Sequence, residues 1–260
     1  MVAVININGL NVSYSDAGHG APVIFVPGVA GRGDWFSYQT SGLADRFRVI
    51  TYDLRRARRT CSLDILVDDL AKLIQALKAY DAAVVGYSLG GLIALKYAVV
   101  YPDRCPGLVL CSTAPSYSRI PESEMAAQLF PDGICLPNLW RRIREAISGR
   151  RAESAAPEAP DSFLARSAGE VDRASLSARI KLMRKTDLTP LLDKVEVPTL
   201  IVASSEEPSH VLSGAQALHQ GIPEASLEII ENADRFYFYT RHDLFNAIAA
   251  DYLTETIAHF

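Results

Sequence analysis

The sequence predicts an α/β protein in which buried parallel strands alternate with helices. Continuous apolar runs at residues 22–26, 82–87 and 107–111 indicate central strands, because a strand covered on both faces needs no polar positions. A Gly-x-Ser-x-Gly motif lies where the second of these runs meets a helical pattern. Strand character then disappears between Thr113 and about Val195, where helical patches replace it. The chain is therefore predicted to be an α/β core interrupted by a helical insertion.

The composition is that of an ordinary enzyme acting on small molecules. The 260 residues are 49% hydrophobic and 22% charged, and the formal net charge of −4 gives no reason to expect nucleic acid or an anionic membrane as a partner. The four cysteines lack CxxC spacing, and residues 1–11 lack the pattern of a signal peptide. No apolar run approaches the roughly 18 residues of a membrane span. We expect a cytoplasmic protein with a small-molecule partner and neither metal nor cofactor, and the oligomeric state stays open.

The remaining strands are predicted from alternating apolar and polar residues or from further apolar runs. Residues 2–7 and 11–14 alternate apolar and polar side chains around Asn8-Gly9, which indicates an antiparallel hairpin at a sheet edge. Further buried strands are predicted at 47–52, 198–203 and 226–230.

Helices are predicted where apolar side chains recur at helical spacing. Residues 64–80 form such a segment and lead directly into the strand at 82–87. The helix that follows the serine motif, residues 89–101, is ended by Pro102. Two more helices are predicted at 211–219 and from 242 to near the C-terminus. Within the insertion, helical patches lie at 139–147 and 176–183, and the Ala-, Pro- and Glu-rich stretch 149–162 is predicted to be a mobile linker.

The motif Gly86-Tyr87-Ser88-Leu89-Gly90 has the features of a nucleophile elbow. This sharp strand-to-helix turn holds a serine in strained geometry, and it needs small residues two positions either side so that strand and helix can approach closely. A simpler alternative is a pair of glycines that only close the turn. The buried strand before the motif and the helix after it favour the elbow.

Two loops after predicted strands carry further candidate binding groups. Gly28 and Gly31 follow the strand at 22–26, and glycines leave backbone N–H groups free to point at a ligand oxygen. Four arginines lie within residues 55–59 after the next strand. A solvated loop and a site for an acidic substrate are both open interpretations of this run.

Taken together, these segments resemble the α/β-hydrolase fold superfamily along essentially the whole chain. The similarity is carried by residues 26–28, 52–55, 86–90 and 187–202, and it is strongest to compact enzymes with a helical lid, such as enol-lactone hydrolases, carbon–carbon bond hydrolases and cofactor-free haloperoxidases. The resemblance implies an eight-stranded, mostly parallel sheet with helices on both faces and a helical cap inserted after strand 6. The core is then 1–113 and 196–260, and the cap is 114–195.

The resemblance also implies roles for individual residues. Ser88 matches the nucleophile, and the backbone N–H groups of Val29 and Leu89 match the oxyanion hole. Glu207 matches the acid after the seventh strand, with Glu206 as the second choice. The residues considered for substrate binding are Gly28, Tyr87, Arg55 and His210.

An arginine stands where the resemblance places the triad histidine. Arg235 occupies that position in the loop after the eighth strand, and no histidine occurs between His219 and His242. With a pKa above about 12, arginine cannot take the serine proton, so efficient hydrolysis by the usual route is not expected. Arg235 is predicted either to pair with Glu207 or to bind a carboxylate or enolate oxygen in the pocket.

These features favour an enzyme with an incomplete triad that performs non-hydrolytic chemistry on a small carbonyl compound. The candidate reactions are cyclisation, elimination, isomerisation and decarboxylation, with Ser88 donating a hydrogen bond and Arg235 holding negative charge. One alternative is a hydrolase of an ester, thioester or lactone that uses His210 or a substrate group as its base. Another is a non-catalytic protein that only binds a ligand in the pocket.

Overall fold

The computed structural model describes residues 2–57, 61–121, 124–125 and 172–260. These residues contain one sheet of eight strands in the spatial order β1-β2-β4-β3-β5-β6-β7-β8, which confirms the predicted strand number. The strands are β1 (Val2–Ile7), β2 (Leu10–Ala17), β3 (Pro22–Val26), β4 (Arg48–Tyr52), β5 (Ala83–Tyr87), β6 (Leu108–Cys111), β7 (Thr199–Ser204) and β8 (Ala225–Ile230).

Only one edge of the sheet is antiparallel. β1 pairs with β2 and β2 with β4 in antiparallel fashion, while all other neighbours are parallel. The predicted edge hairpin is confirmed, and its turn places Asn8 at φ 55° and Gly9 at φ 76°. Positive φ at both turn residues matches the twist of the flanking strands, which is why an Asn-Gly pair suits this turn.

The helices lie where the apolar spacing predicts them, with small differences at their ends. The helix predicted at residues 64–80 ends at Ala76, because Lys78 turns the chain with φ 52°. A short helix before the last one was not predicted. No helix of the described segments is long and apolar enough to cross a membrane. The helices are α1 (Ser37–Leu43), α2 (Leu63–Ala76), α3 (Leu89–Val100), α4 (Arg173–Lys185), α5 (Ser209–Gly221), α6 (Tyr237–Thr240) and α7 (His242–Ala258), with 3-10 turns at Gly33–Phe36, Pro102–Arg104 and Thr189–Lys194.

The sheet is covered on both faces, as predicted. Successive side chains of β3 point to opposite sides: Val23 and Phe25 join a buried cluster with α1, α6 and α7, whereas Ile24 and Val26 join one with α2, α3 and α5. Each face therefore has its own hydrophobic core. The central strands are held rigidly between the two cores, and their carboxyl ends present loops at one edge.

The two ends of the predicted insertion lie side by side. Ser116 and Asp187 form an antiparallel bridge just beyond β6 and just after α4. The helical patches at 139–147 and the predicted linker at 149–162 lie outside the described residues. The cap boundaries 114–195 stay a prediction. The apolar face predicted for α4 is buried through Leu176, Ile180 and Met183.

Candidate active site

Ser88 occupies a strained turn between β5 and α3. Its backbone has φ 54° and ψ −113°, a region that L-residues rarely adopt. The glycines of the motif are needed for close approach: a Cβ on Gly86 would lie 2.3 Å from the carbonyl oxygen of Gly90, and one on Gly90 would lie 2.0 Å from that of Val26. The turn therefore has the geometry of a nucleophile elbow, and its serine is held at the carboxyl edge of the sheet.

The parallel register brings a second strained serine beside Ser88. Tyr87 of β5 pairs with Cys111 of β6, so Ser88 and Ser112 follow at adjacent positions, and Ser112 has φ 46°. Both serines are buried and face a cavity of about 20 Å³, which has room for about one water molecule. The cavity is lined by Val29, Ser88, Ser112, Tyr117, Met125, Met183, His210, Val211 and Arg235.

Glu207 is buried behind these serines, whereas Glu206 is exposed. The Oε1 atom of Glu207 accepts hydrogen bonds from the Ser112 hydroxyl at 2.5 Å and from the Ser204 backbone N–H at 3.3 Å. Its Oε2 atom has no hydrogen-bond partner among the described residues. Burial raises the pKa of Glu207 from 4.5 to about 6, and the Ser112 hydrogen bond and the charge of Arg235 oppose this rise.

Arg235 reaches the cavity through the loop after β8. Its Nε donates to the Tyr87 hydroxyl at 3.5 Å, and the Tyr87 hydroxyl in turn donates to the Arg235 carbonyl oxygen at 3.2 Å. Burial lowers the pKa of Arg235, but its interactions with Tyr87 and Glu207 outweigh this effect and raise the pKa overall. No direct ion pair joins Arg235 to Glu207 within the described chain. Arg235 lines the cavity, and the role predicted for its side chain stays a prediction.

His210 lines the same cavity from the first turn of α5. Its Nδ1 lies 3.7 Å from Glu124 Oε1, and its ring meets the Tyr117 ring edge-on with centroids 6.4 Å apart. In the described part of the chain it has no hydrogen bond to Ser88. Burial lowers the pKa of His210, although Glu124 opposes this, so the imidazole is neutral near pH 7.

The loop that carries the predicted oxyanion-hole residue Val29 is held by an arginine from the insertion. Arg179 of α4 is 3% exposed and donates to the carbonyl oxygens of Val29 at 3.1 Å and Ala30 at 2.9 Å. Its other terminal nitrogen donates to the carbonyls of Leu54 at 3.1 Å and Arg55 at 2.7 Å. One guanidinium thus joins α4 to the loops after β3 and β4.

Not every predicted site residue is at the cavity. Arg55 forms a bidentate ion pair with Asp69 of α2, at 2.5 and 2.6 Å, and does not line the cavity. Tyr87 packs on the opposite side of the sheet with only its hydroxyl near Arg235. A Cβ on Gly28 would lie 2.9 Å from the Tyr87 ring, so this glycine makes room for that packing.

Comparison with known proteins agrees with this architecture. A family model described as alpha/beta hydrolase fold matches residues 21–134. YisY of Bacillus subtilis, an AB hydrolase superfamily protein, is 28% identical over 250 residues, which cover 91% of this chain and 93% of YisY. The chain has the α/β-hydrolase fold. The resemblance predicted from the motifs is confirmed.

Two further proteins are similar to this chain. A Bacillus subtilis protein provisionally named 2-succinyl-6-hydroxy-2,4-cyclohexadiene-1-carboxylate synthase is 25% identical over 198 residues, covering 72% of this chain and 71% of that protein. The enol-lactonase from Burkholderia xenovorans LB400 superimposes with a TM-score of 0.77 at 22% identity, covering 97% of this chain and 100% of that one. These similar proteins are named as enzymes with different reactions.

Two residues at the candidate site were missed by the sequence analysis. Ser112 follows the buried strand β6 directly, and the rule that carboxyl ends of parallel strands meet at one edge could have identified it. Arg179 lies on the apolar face of α4, three residues after Leu176 and four before Met183. A charged residue on a buried face is a signal that it has a partner there.

We expect the buried carboxyl of Glu207 to make the stability of this protein depend on pH. Because the folded state raises its pKa, the folded protein holds the proton more tightly than the unfolded chain does. The contribution to stability is therefore complete below about pH 4.5 and is lost as the pH rises through about 6. In urea unfolding, the free energy of unfolding of the unmodified protein should lose about 2 kcal/mol from this group as the pH rises past 4.5 and then 6, and Glu207→Gln should not show this loss.

The neighbouring Glu206 provides the matched control for this measurement, since its side chain is exposed. Glu206→Gln should leave the pH dependence of the unfolding free energy as in the unmodified protein. If the free energy of unfolding changes with pH in the same way in the unmodified protein and in Glu207→Gln, the assignment of a raised pKa to Glu207 is wrong.

Proposed function

We propose that this chain is an enzyme that converts a small carbonyl compound by non-hydrolytic chemistry: cyclisation, elimination, isomerisation or decarboxylation. One observation carries the proposal. Ser88, Val29 and Arg235 face a single cavity, while no histidine within the described residues is hydrogen-bonded to Ser88 or to Glu207. The site keeps the groups that stabilise negative charge and lacks the usual group that activates a serine.

All four reactions build negative charge on a carbonyl oxygen, which this site can stabilise. Loss of an α-proton or of carbon dioxide leaves an enolate, whose oxygen would accept from the N–H groups of Val29 and Leu89 and from the Ser88 hydroxyl. Arg235 would hold a carboxylate or the enolate through charge-assisted hydrogen bonds. Its guanidinium keeps its proton at any working pH, so it binds charge and does not act as the base.

The similarity to a protein named as a synthase supports this proposal. That name describes bond formation or rearrangement rather than cleavage by water, and the named product carries a carboxylate. A carboxylate is the group that Arg235 would bind in the cavity. We extend the proposal to a small-molecule partner and, from composition alone, to a cytoplasmic location.

Hydrolysis of an ester, thioester or lactone is the second candidate, and the position of His210 favours it. This neutral imidazole lines the same cavity as Ser88, so a modest movement would bring a proton acceptor to the serine. The similarity to an enol-lactonase is consistent with such a reaction. A protein that binds a carbonyl ligand without converting it is the third candidate.

A binding screen followed by isotope analysis tests the proposal. Small β-keto acids and enol lactones are screened for a rise in Tm that is lost in Arg235→Gln, and each ligand found is incubated with protein in H₂¹⁸O. We expect a chemically changed product without ¹⁸O from water, and Ser88→Ala should slow its formation at least about tenfold. Incorporation of one ¹⁸O would establish hydrolysis instead. A ligand recovered unchanged would establish binding alone.

A further inference from the structure

Ser112 connects the cavity to the buried carboxyl of Glu207. Its hydroxyl oxygen lies 2.5 Å from Glu207 Oε1 and 3.3 Å from the Arg235 carbonyl oxygen. A hydroxyl has one proton, and the shorter contact to a carboxylate oxygen shows where it is donated. The serine oxygen keeps lone pairs that can accept a proton from another group. Ser112 is also a lining residue of the cavity, next to Ser88.

The backbone fixes Ser112 in this position. Its N–H donates to the Val202 carbonyl oxygen at 3.0 Å, and its φ of 46° lies in the left-handed region that favours glycine. A serine held there at a conformational cost, at the end of a buried strand, is typical of a functional position. Ser88 on the neighbouring strand has a similarly strained φ of 54°.

We propose that Ser112 relays protons between the cavity and Glu207, so that the Glu207 carboxylate is the base of this site. The relay rests on the proposed function, for which it supplies the missing proton acceptor. Glu207 itself does not line the cavity, and therefore it needs an intermediary to reach a substrate.

The proton balance of the relay is simple. The α-C–H bond of the substrate breaks, and its proton forms a new O–H bond on Ser112 as the original Ser112 proton passes to Glu207 Oε1. The electron pair stays on the substrate as an enolate. Negative charge thus moves from Glu207 to an oxygen beside Val29, Leu89 and Arg235, and reversal of the same steps returns the proton to the product.

The surroundings of Glu207 suit a group that gains and loses a proton near neutral pH. Burial raises its pKa to about 6, so it is ionised at pH 7 and still able to accept a proton. Arg235 is the positively charged neighbour that limits this rise. Burial also raises the pKa of four neighbouring groups, which stay neutral in this range: Tyr87, Tyr117, Tyr237 and Cys111. His210 lines the same cavity, and burial lowers its pKa, so His210→Gln is needed to separate its titration from that of Glu207.

The relay is tested through the pH dependence of p-nitrophenyl acetate hydrolysis, with kcat and KM measured separately. With this ester the relay would take the proton of Ser88: the Ser88 oxygen bonds to the ester carbonyl carbon, its proton passes to Ser112, the Ser112 proton passes to Glu207, and p-nitrophenolate leaves before water releases the acetyl group. In the unmodified protein the part of kcat that is lost in Ser88→Ala should therefore rise through about pH 6. Ser112→Ala and Ser112→Gly should lower kcat at about pH 8 at least tenfold and abolish the rise of kcat through about pH 6, which is the acid limb of the pH profile. The KM of both variants should stay within about twofold of the unmodified protein's KM. Glycine tolerates the φ of position 112, so Ser112→Gly removes the hydroxyl without destabilising the turn.

Ser204→Ala is the matched control. The Ser204 hydroxyl also donates to Glu207 Oε1, at 3.4 Å, but it does not line the cavity. This variant should keep both the rate and the limb of the pH profile. If both Ser112 variants behave like the unmodified protein, the relay is wrong. A rate in the unmodified protein no higher than in Ser88→Ala would also contradict it, while the isotope experiment decides the proposed function independently.

Discussion

Arg235→His is expected to raise the hydrolysis of p-nitrophenyl acetate at least about tenfold, because an imidazole there could accept the Ser88 proton directly, without the Ser112 relay. The Oε2 atom of Glu207 is buried and has no partner among the described residues, and a histidine Nδ1–H is the donor it lacks. The opposite ring nitrogen would then face the cavity that Ser88 lines. The serine could lose its proton to this imidazole and attack the ester.

Two controls assign the gain to the restored triad. Arg235→Gln also removes the charge but provides no base, so it should not raise the rate. Adding Ser88→Ala to Arg235→His should abolish the gain. An unchanged rate in Arg235→His would mean that Glu207 or Ser88 is not aligned for the usual mechanism, and it would weaken the assignment of both residues.

Arg179→Met is expected to lower the free energy of unfolding by about 3 kcal/mol, since it removes the donor of four carbonyl oxygens, three in buried hydrogen bonds and one in a partly buried one. Methionine fills a similar volume but offers no hydrogen. The loss is smaller than four full hydrogen bonds because the guanidinium is itself costly to bury: burial lowers its pKa to about 10. Chemical denaturation measures the difference directly.

Arg184→Met is the matched comparison on the same helix. Arg184 is half-buried and donates to the Ile120 carbonyl oxygen at 2.9 Å, away from the loops after β3 and β4. We expect this variant to lose less stability than Arg179→Met, because it removes the donor of a single carbonyl oxygen in place of four. Hydrogen exchange should separate the two further, because only Arg179→Met should speed exchange of the Gly31 and Leu54 amides, which pair within these loops. If Arg179→Met and Arg184→Met lose the same free energy of unfolding, Arg179 has no special part in holding the loops after β3 and β4.

Much of the fold follows from local patterns. The continuous apolar runs correctly predicted the central strands because parallel strands buried on both faces have no polar positions to interrupt them. The hairpin at Asn8-Gly9 was predicted because only a few residue pairs adopt positive φ easily. The early end of α2 was missed, since a single residue with positive φ, Lys78, leaves no mark in the apolar spacing.

For the candidate site, the sequence alone predicted which residues are special, and the tertiary structure decided which of them meet. Ser88 and its glycines, and the presence of arginine at 235, can be read from neighbours in the chain, because an elbow needs small residues at fixed positions. The contact of Ser112 with Glu207 spans 95 positions and that of Tyr87 with Arg235 spans 148. Such contacts depend on strand register and on the positions of the loops after β6, β7 and β8, which are fixed only when the whole sheet has formed.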